Sequence, residues 1–115
     1  MKHIKLVISN DLKKNYKEKF FIKKELQSIL NLYAKMVSNG SWKDYSFSSG
    51  SKEVSFDIYQ RASEKPIIKI TKNFNPKYLN EKFFIKDKNG MILKKSENLG
   101  NLIDKTSWNK LRLVK

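Results

Sequence analysis

The sequence predicts an α+β domain in two layers: a helix, a mostly antiparallel sheet of about five strands built from hairpins, and a C-terminal helix. Apolar residues recur at three- and four-residue steps near residues 20–38 and at two-residue steps over most of the chain that follows. The connections between the alternating runs are short, which favours antiparallel neighbours. At 115 residues, the chain is long enough for one hydrophobic core.

Residues 1–19 are predicted to be an N-terminal extension, and residues 20–115 the single α+β domain. Within the extension, Ile4, Leu6 and Ile8 alternate with other residues as in a short edge strand, and a lysine-dense link follows. The apolar run is too short for a signal peptide, and no stretch has the length of a membrane span. There is no cysteine, which suits a reducing compartment. We therefore expect a cytoplasmic protein without a membrane partner.

The first helix is predicted from a stripe of apolar residues. Its members are Ile22, Leu26, Ile29, Leu30, Tyr33, Met36 and Val37. The pair Asn39-Gly40 is typical of the residues that end a helix.

The centre of the predicted sheet is a hairpin over residues 53–72, two alternating runs joined by residues 61–66. One side is apolar and is predicted to be core: Val54, Phe56, Ile58, Ile68 and Ile70. The other side is polar and partly basic: Ser55, Asp57, Tyr59, Arg61, Lys69 and Thr71. This second side can face water, a helix or a ligand.

Further strands are predicted at residues 42–47 and on both sides of Asn89-Gly90, a strong hairpin signal. Residues 73–80 are predicted to be a loop, and a last helix is predicted to start near Ser96. The residues expected to be buried together are Leu26, Ile29, Leu30, Tyr33, Val37, Phe56, Ile58, Ile70, Ile85, Leu99, Leu102 and Ile103.

Four segments of the chain are specific in sequence. They are KELQSILNLYAKMVSNGSWKDY at 24–45, FDIYQRASEKPIIKI at 56–70, GMILKKSENLGNLI at 90–103 and KLRLV at 110–114. With these segments the chain resembles, from about residue 20 to its end, a small alphaproteobacterial family known only as a domain of unknown function. The resemblance identifies a family, but it does not indicate an activity or catalytic residues. The chain departs from the family pattern at Ile68, where relatives carry an aromatic residue.

The formal net charge is +14, which points to nucleic acid or another anionic partner. Codon bias towards lysine is an alternative source of the excess, because 23 of the 25 basic residues are lysines. The predicted binding surface is the polar side of the sheet, where aromatic rings among cations would bind single-stranded nucleic acid. Its candidate residues are Tyr59, Arg61, Lys69, Phe84, Lys86 and Lys94. The alternative is that a helix covers this side and its aromatic residues are core.

A structural role is favoured for the tip of the central hairpin. Arg61 can pair with Glu64 across the turn, Ser63 can accept a backbone N–H, and Pro66 restricts the chain. The competing interpretation has Arg61 binding a phosphate or a partner carboxylate.

Catalysis, metals and cofactors are not expected. His3 is the single histidine, and with no cysteine the chain offers no nucleophile triad or two-histidine metal site. Glu53, Asp57 and Glu64 are near one another in sequence, but they have no nucleophile or metal to act with. The predicted protein is a non-catalytic nucleic-acid-binding module. The alternative is a protein-interaction module with an acidic partner and with Trp42, Tyr45 and Trp108 as anchors. The oligomeric state stays open.

Overall fold

The protein has the predicted α+β architecture. The computed structural model describes residues 20–61 and 65–108. Its elements, in chain order, are α1 (Lys23–Ser38), β1 (Asp44–Ser49), β2 (Glu53–Tyr59), β3 (Ile68–Asn73), a 3₁₀ helix (Pro76–Glu81), β4 (Phe83–Asp87), β5 (Ile92–Ser96) and α2 (Leu99–Lys105). The predicted extension 1–19, the turn residues Ser63 and Glu64, and the segment 110–114 lie outside the described residues.

The five strands form one antiparallel meander in the order β1-β2-β3-β4-β5. Phe56 of β2 pairs with Ile70 of β3, which pairs in turn with Ile85 of β4, so the predicted central hairpin is present. Between β4 and β5 the register shifts after Ile85. Because alternate residues point to opposite faces of a strand, these pairings determine which side chains share each face.

Helix α1 begins without a side-chain oxygen at its N-cap. Ile22 takes that position, and its backbone N–H donates instead to Glu25 Oε1 at 2.8 Å. The helix ends at Ser38 with Asn39 as its C-cap, and the next residue, Gly40, has a φ of +82°, which is readily adopted only by glycine. Both ends therefore lie close to the boundaries that the sequence predicts.

The buried face of α1 differs from the predicted stripe. Ile29, Leu32 and Met36 are buried, whereas Val37 is 40% exposed. The prediction that Val37 belongs to the core is therefore wrong. Leu32 follows Ile29 by three residues and precedes Met36 by four, so the buried line runs along that side and Val37 lies beyond its edge.

Helix α2 starts later than expected. Asn98, not Ser96, caps it, and the Asn98 side chain accepts from the Asn101 N–H at 2.9 Å. Ser96 ends β5 and its hydroxyl accepts the Asn98 N–H. The segment predicted as a loop at 73–80 contains the 3₁₀ helix, which begins at Pro76.

Both helices pack on the same face of the sheet, which we call the core face. Buried residues of α1 and α2 join the apolar residues of β2, β3 and β4 in one cluster. Its members are Phe21, Ile29, Leu32, Met36, Trp42, Val54, Phe56, Ile58, Ile68, Ile70, Phe83, Ile85, Leu99 and Leu102. The two helices thus share one face rather than taking one face each.

A buried ion pair connects α1 to this face. Lys72 of β3 has its ammonium group 2.8 Å from Glu25 Oε1 and 3.0 Å from the Phe20 carbonyl oxygen. The side chains of Lys72 and Glu25 are 4% and 13% exposed. In a buried setting each charge depends on the other, because neither can be hydrated fully.

We expect Ile29→Ala to lower the free energy of unfolding by ~2–5 kcal/mol, because it leaves a cavity in the centre of the core. Leu30→Ala should cost less, since Leu30 is only partly buried against that core. Urea unfolding followed by circular dichroism measures both losses. Equal losses would mean that α1 is rotated from the orientation described above.

We expect Lys72→Met to cost ~3–5 kcal/mol, because it leaves the Glu25 carboxylate buried without a counter-charge. The matched control is Lys95→Met, which breaks the exposed pair with Glu81 and should cost at most ~1 kcal/mol. The double variant Glu25→Leu with Lys72→Met should recover part of the loss. The same urea measurement checks all three variants, and a small loss for Lys72→Met would contradict the role of the pair.

Candidate functional site

The second face of the sheet carries polar side chains, and neither α1 nor α2 packs on it; the 3₁₀ helix reaches it through Glu81, which pairs with Lys95. We call it the polar face. Strand alternation and the pairing register assign to it Asp44, Ser46, Ser48, Glu53, Ser55, Asp57, Tyr59, Lys69, Thr71, Asn73, Phe84, Lys86, Ile92 and Lys95. It is the surface that the sequence predicts as the candidate site.

A buried carboxylate organises the middle of the polar face. Asp57 Oδ1 accepts from the Ser55 hydroxyl at 2.6 Å, and Oδ2 accepts from the Ser48 hydroxyl. Lys69 Nζ lies 3.7 Å from the same Oδ2. Both oxygens of Asp57 are therefore engaged, which is the arrangement of a structural acceptor and not of a free general base.

Two lysines stand directly opposite each other on this face. Lys69 of β3 and Lys86 of β4 are cross-strand partners, so their Cβ atoms lie ~4.5–5.5 Å apart. Each has an acidic neighbour: Asp57 for Lys69, and Glu53 for Lys86 at 3.4 Å. Both ammonium groups are partly exposed, so this pair forms a small cationic area above a buried carboxylate.

The two aromatic candidates, Phe84 and Tyr59, do not offer fully exposed rings on which nucleic-acid bases could stack. Phe84 is 7% exposed, and the Lys86 ammonium lies 5.3 Å from its ring centroid. Tyr59 is half-buried, and its hydroxyl lies 3.0 Å from the Ser46 hydroxyl. The sequence analysis expects bases to stack on exposed aromatic rings, but the ring of Phe84 is not exposed.

Lys94 does not share the polar face. It pairs with Ile85 on the core side, and its ammonium donates to the Lys105 carbonyl oxygen at the end of α2 at 3.1 Å. Grouping Lys94 with Lys86 is therefore wrong, because strand alternation places the two on opposite faces. Lys95 is the lysine of β5 on the polar side, and it pairs with Glu81 at 3.2 Å.

Arg61 is exposed just after β2 ends. Its predicted turn partners Ser63 and Glu64 lie outside the described residues, so its assignment to the turn or to a ligand stays a prediction. Pro66, the last of the predicted turn residues, is partly buried.

A depression of about 350 Å³ lies next to the cationic area. Its lining includes the β1–β2 turn, residues 50–52, together with Ser48, Ser49, Glu53, Ser55 and Lys69. The end of β1 and the exposed turn supply the hydroxyl groups of Ser49 and Ser51 and the ammonium group of Lys52. From the sequence this serine-rich stretch is predicted only as a turn, although clustered Ser and Lys side chains are a signal for anion binding.

The aromatic residues considered as protein-partner anchors are packed in the domain. Trp42 is buried and meets Trp108 edge to face, and the Trp108 Nε1–H donates to the Ile103 carbonyl at 3.0 Å. Tyr45 stacks on Phe56 with ring centroids 4.9 Å apart. Burial, with a smaller contribution from the charge of Asp44, raises the pKa of Tyr45, so its phenol stays neutral at physiological pH. These residues stabilise the core and do not form an exposed anchor.

Comparison with family models gives a match over residues 19–103, to the family described as protein of unknown function (DUF2794). The chain belongs to this family. The matched range contains every described strand and most of α2, so the polar face lies wholly inside the shared domain. Comparisons with curated proteins and with solved structures give no match. In the described part of the chain, neither helix has the length and apolar character needed to cross a bilayer.

Two hydroxyl groups of the polar face should respond oppositely to removal. Ser55→Ala takes a donor from the buried Asp57 carboxylate and should cost ~1–3 kcal/mol of unfolding free energy. Thr71→Val removes a buried hydroxyl that has no hydrogen-bond partner among the described residues, and it should be neutral or stabilise by up to ~1 kcal/mol. Thermal unfolding of both variants checks this. A clear loss for Thr71→Val would show that this hydroxyl has a partner.

Proposed function

We propose that this domain of the DUF2794 family is a non-catalytic module that binds single-stranded nucleic acid on its polar face. The observation that carries the proposal is the placement of Lys69 directly opposite Lys86. Like charges in directly opposed positions destabilise a sheet; Asp57 and Glu53 offset part of that cost, and an anion at the exposed side of the two lysines would offset more of it. A phosphate group has the charge and the acceptor oxygens for this position.

The surroundings of the two lysines support an extended anionic ligand. Lys52 and the hydroxyls of Ser49 and Ser51 line the adjacent depression, so cations and donors continue from the sheet to the β1–β2 turn. Lysine, serine and backbone N–H groups are common partners of phosphate oxygens. The net charge of +14 supports the same class of partner through long-range attraction.

The buried state of Phe84 determines the mode of binding that we propose. Without an exposed ring at that position, the ligand's bases gain little from stacking, and contacts to the phosphate backbone supply most of the affinity. Backbone contacts carry no direct sequence information. We therefore propose weak binding with little choice of base sequence.

We expect a dissociation constant of about 10⁻⁴–10⁻⁶ M for a fluorescein-labelled oligothymidylate near physiological salt. Fluorescence anisotropy measures it, and affinity should fall steeply as salt rises. The double variant Lys69→Gln with Lys86→Gln should weaken binding. It should also reduce the slope of log affinity against log salt by about 0.7 for each phosphate that the variant no longer neutralises.

The matched control is Lys23→Gln with Lys35→Gln, which removes the same charge from the exposed surface of α1 on the other side of the domain. If both double variants weaken binding equally, the interaction depends on net charge and not on the polar face. Absence of binding at low salt would reject the proposal outright. Circular dichroism shows that each variant is folded before the titration.

A further inference from the structure

Strand β5 exposes apolar side chains at an edge of the sheet. Within the described residues β5 pairs only with β4, so none of the described strands takes up the outer N–H and C=O groups of β5. Met91, Ile92 and Leu93 are 63%, 47% and 39% exposed. These three large apolar residues are consecutive in sequence, and they all belong to this edge.

The opposite edge of the sheet differs. In β1, Tyr45 and Phe47 pack against the ring of Phe56, and no residue of β1 is among the exposed large apolar side chains. An apolar surface open to a partner is thus confined to the β5 edge among the described strands.

Lysines surround the apolar residues of β5. Lys88 precedes them in the turn, and Lys94 and Lys95 follow them, all three exposed. Two carboxylates are near: Asp87 accepts the backbone N–H groups of Asn89 and Met91 through Oδ1 in the turn, and Glu81 pairs with Lys95 at 3.2 Å. Lys88 and Lys94 have no ion-pair partner among the described residues. An occupant of this edge therefore meets apolar groups bordered by positive charge.

We infer that β5 is the docking edge for an extended acidic segment of a partner protein, which adds to the sheet as a sixth strand. Its backbone would pair with the outer edge of β5, as in other complexes formed by strand addition. On the polar side one of its apolar side chains would lie beside Ile92, and on the other side a carboxylate would lie beside Lys94.

Charge argues against a second copy of the chain as the occupant. Two β5 edges would bring lysines against lysines in molecules that each carry +14. Lysines on an edge strand and an irregular register, here between Ile85 and Lys86, are typical protections against self-pairing. A partner with the opposite charge is not repelled.

Geometry argues against a lipid surface. Ile92 points to the polar face with Lys86, whereas Lys94 points to the core side with Ile85. A flat bilayer contacts only one face of a strand, but a neighbouring strand places side chains beside both faces of β5. The docking edge is also distinct from the Lys69–Lys86 area, so this inference does not depend on nucleic-acid binding.

The test is a titration of the ¹⁵N-labelled full chain, followed by amide chemical shifts. The probe is a capped octapeptide of alternating glutamate and valine. We expect saturable shifts centred on residues 91–96. Two control probes should give no such shifts: the same peptide with lysine in place of glutamate, and one of equal charge with two central prolines, which cannot pair as a strand.

The double variant Ile92→Ser with Leu93→Ser should weaken peptide binding about tenfold, because it removes the apolar contacts, and should leave oligonucleotide affinity unchanged. The control is Ile22→Ser with Val37→Ser, which removes similarly exposed apolar groups, 42% and 40%, from α1 and its N-cap. That control should bind the peptide normally.

Several results would overturn the inference. They are absence of shifts at millimolar peptide, shifts spread over all lysine-rich surfaces, equal binding of the proline-containing probe, and concentration-dependent dimerisation that produces the same shifts without peptide. Binding to anionic vesicles through residues 91–93, with no peptide binding, would assign the edge to lipid instead.

Discussion

The ion pair between Lys72 and Glu25 determines how the two layers of this domain meet. Lys72 is a residue of the central hairpin, but its ammonium group reaches out of the sheet to the first turn of α1 and to the carbonyl of Phe20. The same Glu25 oxygen accepts the N–H of Ile22 at the start of the helix. One carboxylate therefore stabilises the helix N-terminus and fixes it over β3. Because both charges are largely removed from water, the arrangement tolerates little displacement.

Once α1 is fixed there, the two faces of the sheet take different roles. The core face receives both helices and the aromatic cluster around Tyr33 and Phe56. The polar face holds its interior together by hydrogen bonds to Asp57, which leaves the outer cations at Lys69 and Lys86 partly exposed. A face built this way can change its surface charges without losing its apolar core. It is therefore a suitable place for a binding function.

Much of this fold is readable from the sequence, because strands with period two and an Asn-Gly turn are local signals. The central hairpin and its apolar side are confirmed on those grounds. Prediction from the sequence fails where a residue contacts a partner that is distant in the chain. Lys72 looks like an exposed strand lysine, and nothing nearby in sequence announces its pairing with Glu25. The buried state of Phe84 likewise depends on tertiary packing, and the error at Lys94 came from its pairing with Ile85 across the hairpin.

The sequential strand order has a consequence for the way the chain folds. Every strand pairs with its neighbour in sequence, so each pairing closes only a short loop and loses little chain entropy. Such a topology has a low contact order, which favours rapid folding. The contact between Glu25 and Lys72 spans 47 residues and needs a much longer closure. The meander can therefore assemble hairpin by hairpin, with the docking of α1 as the later and more cooperative step.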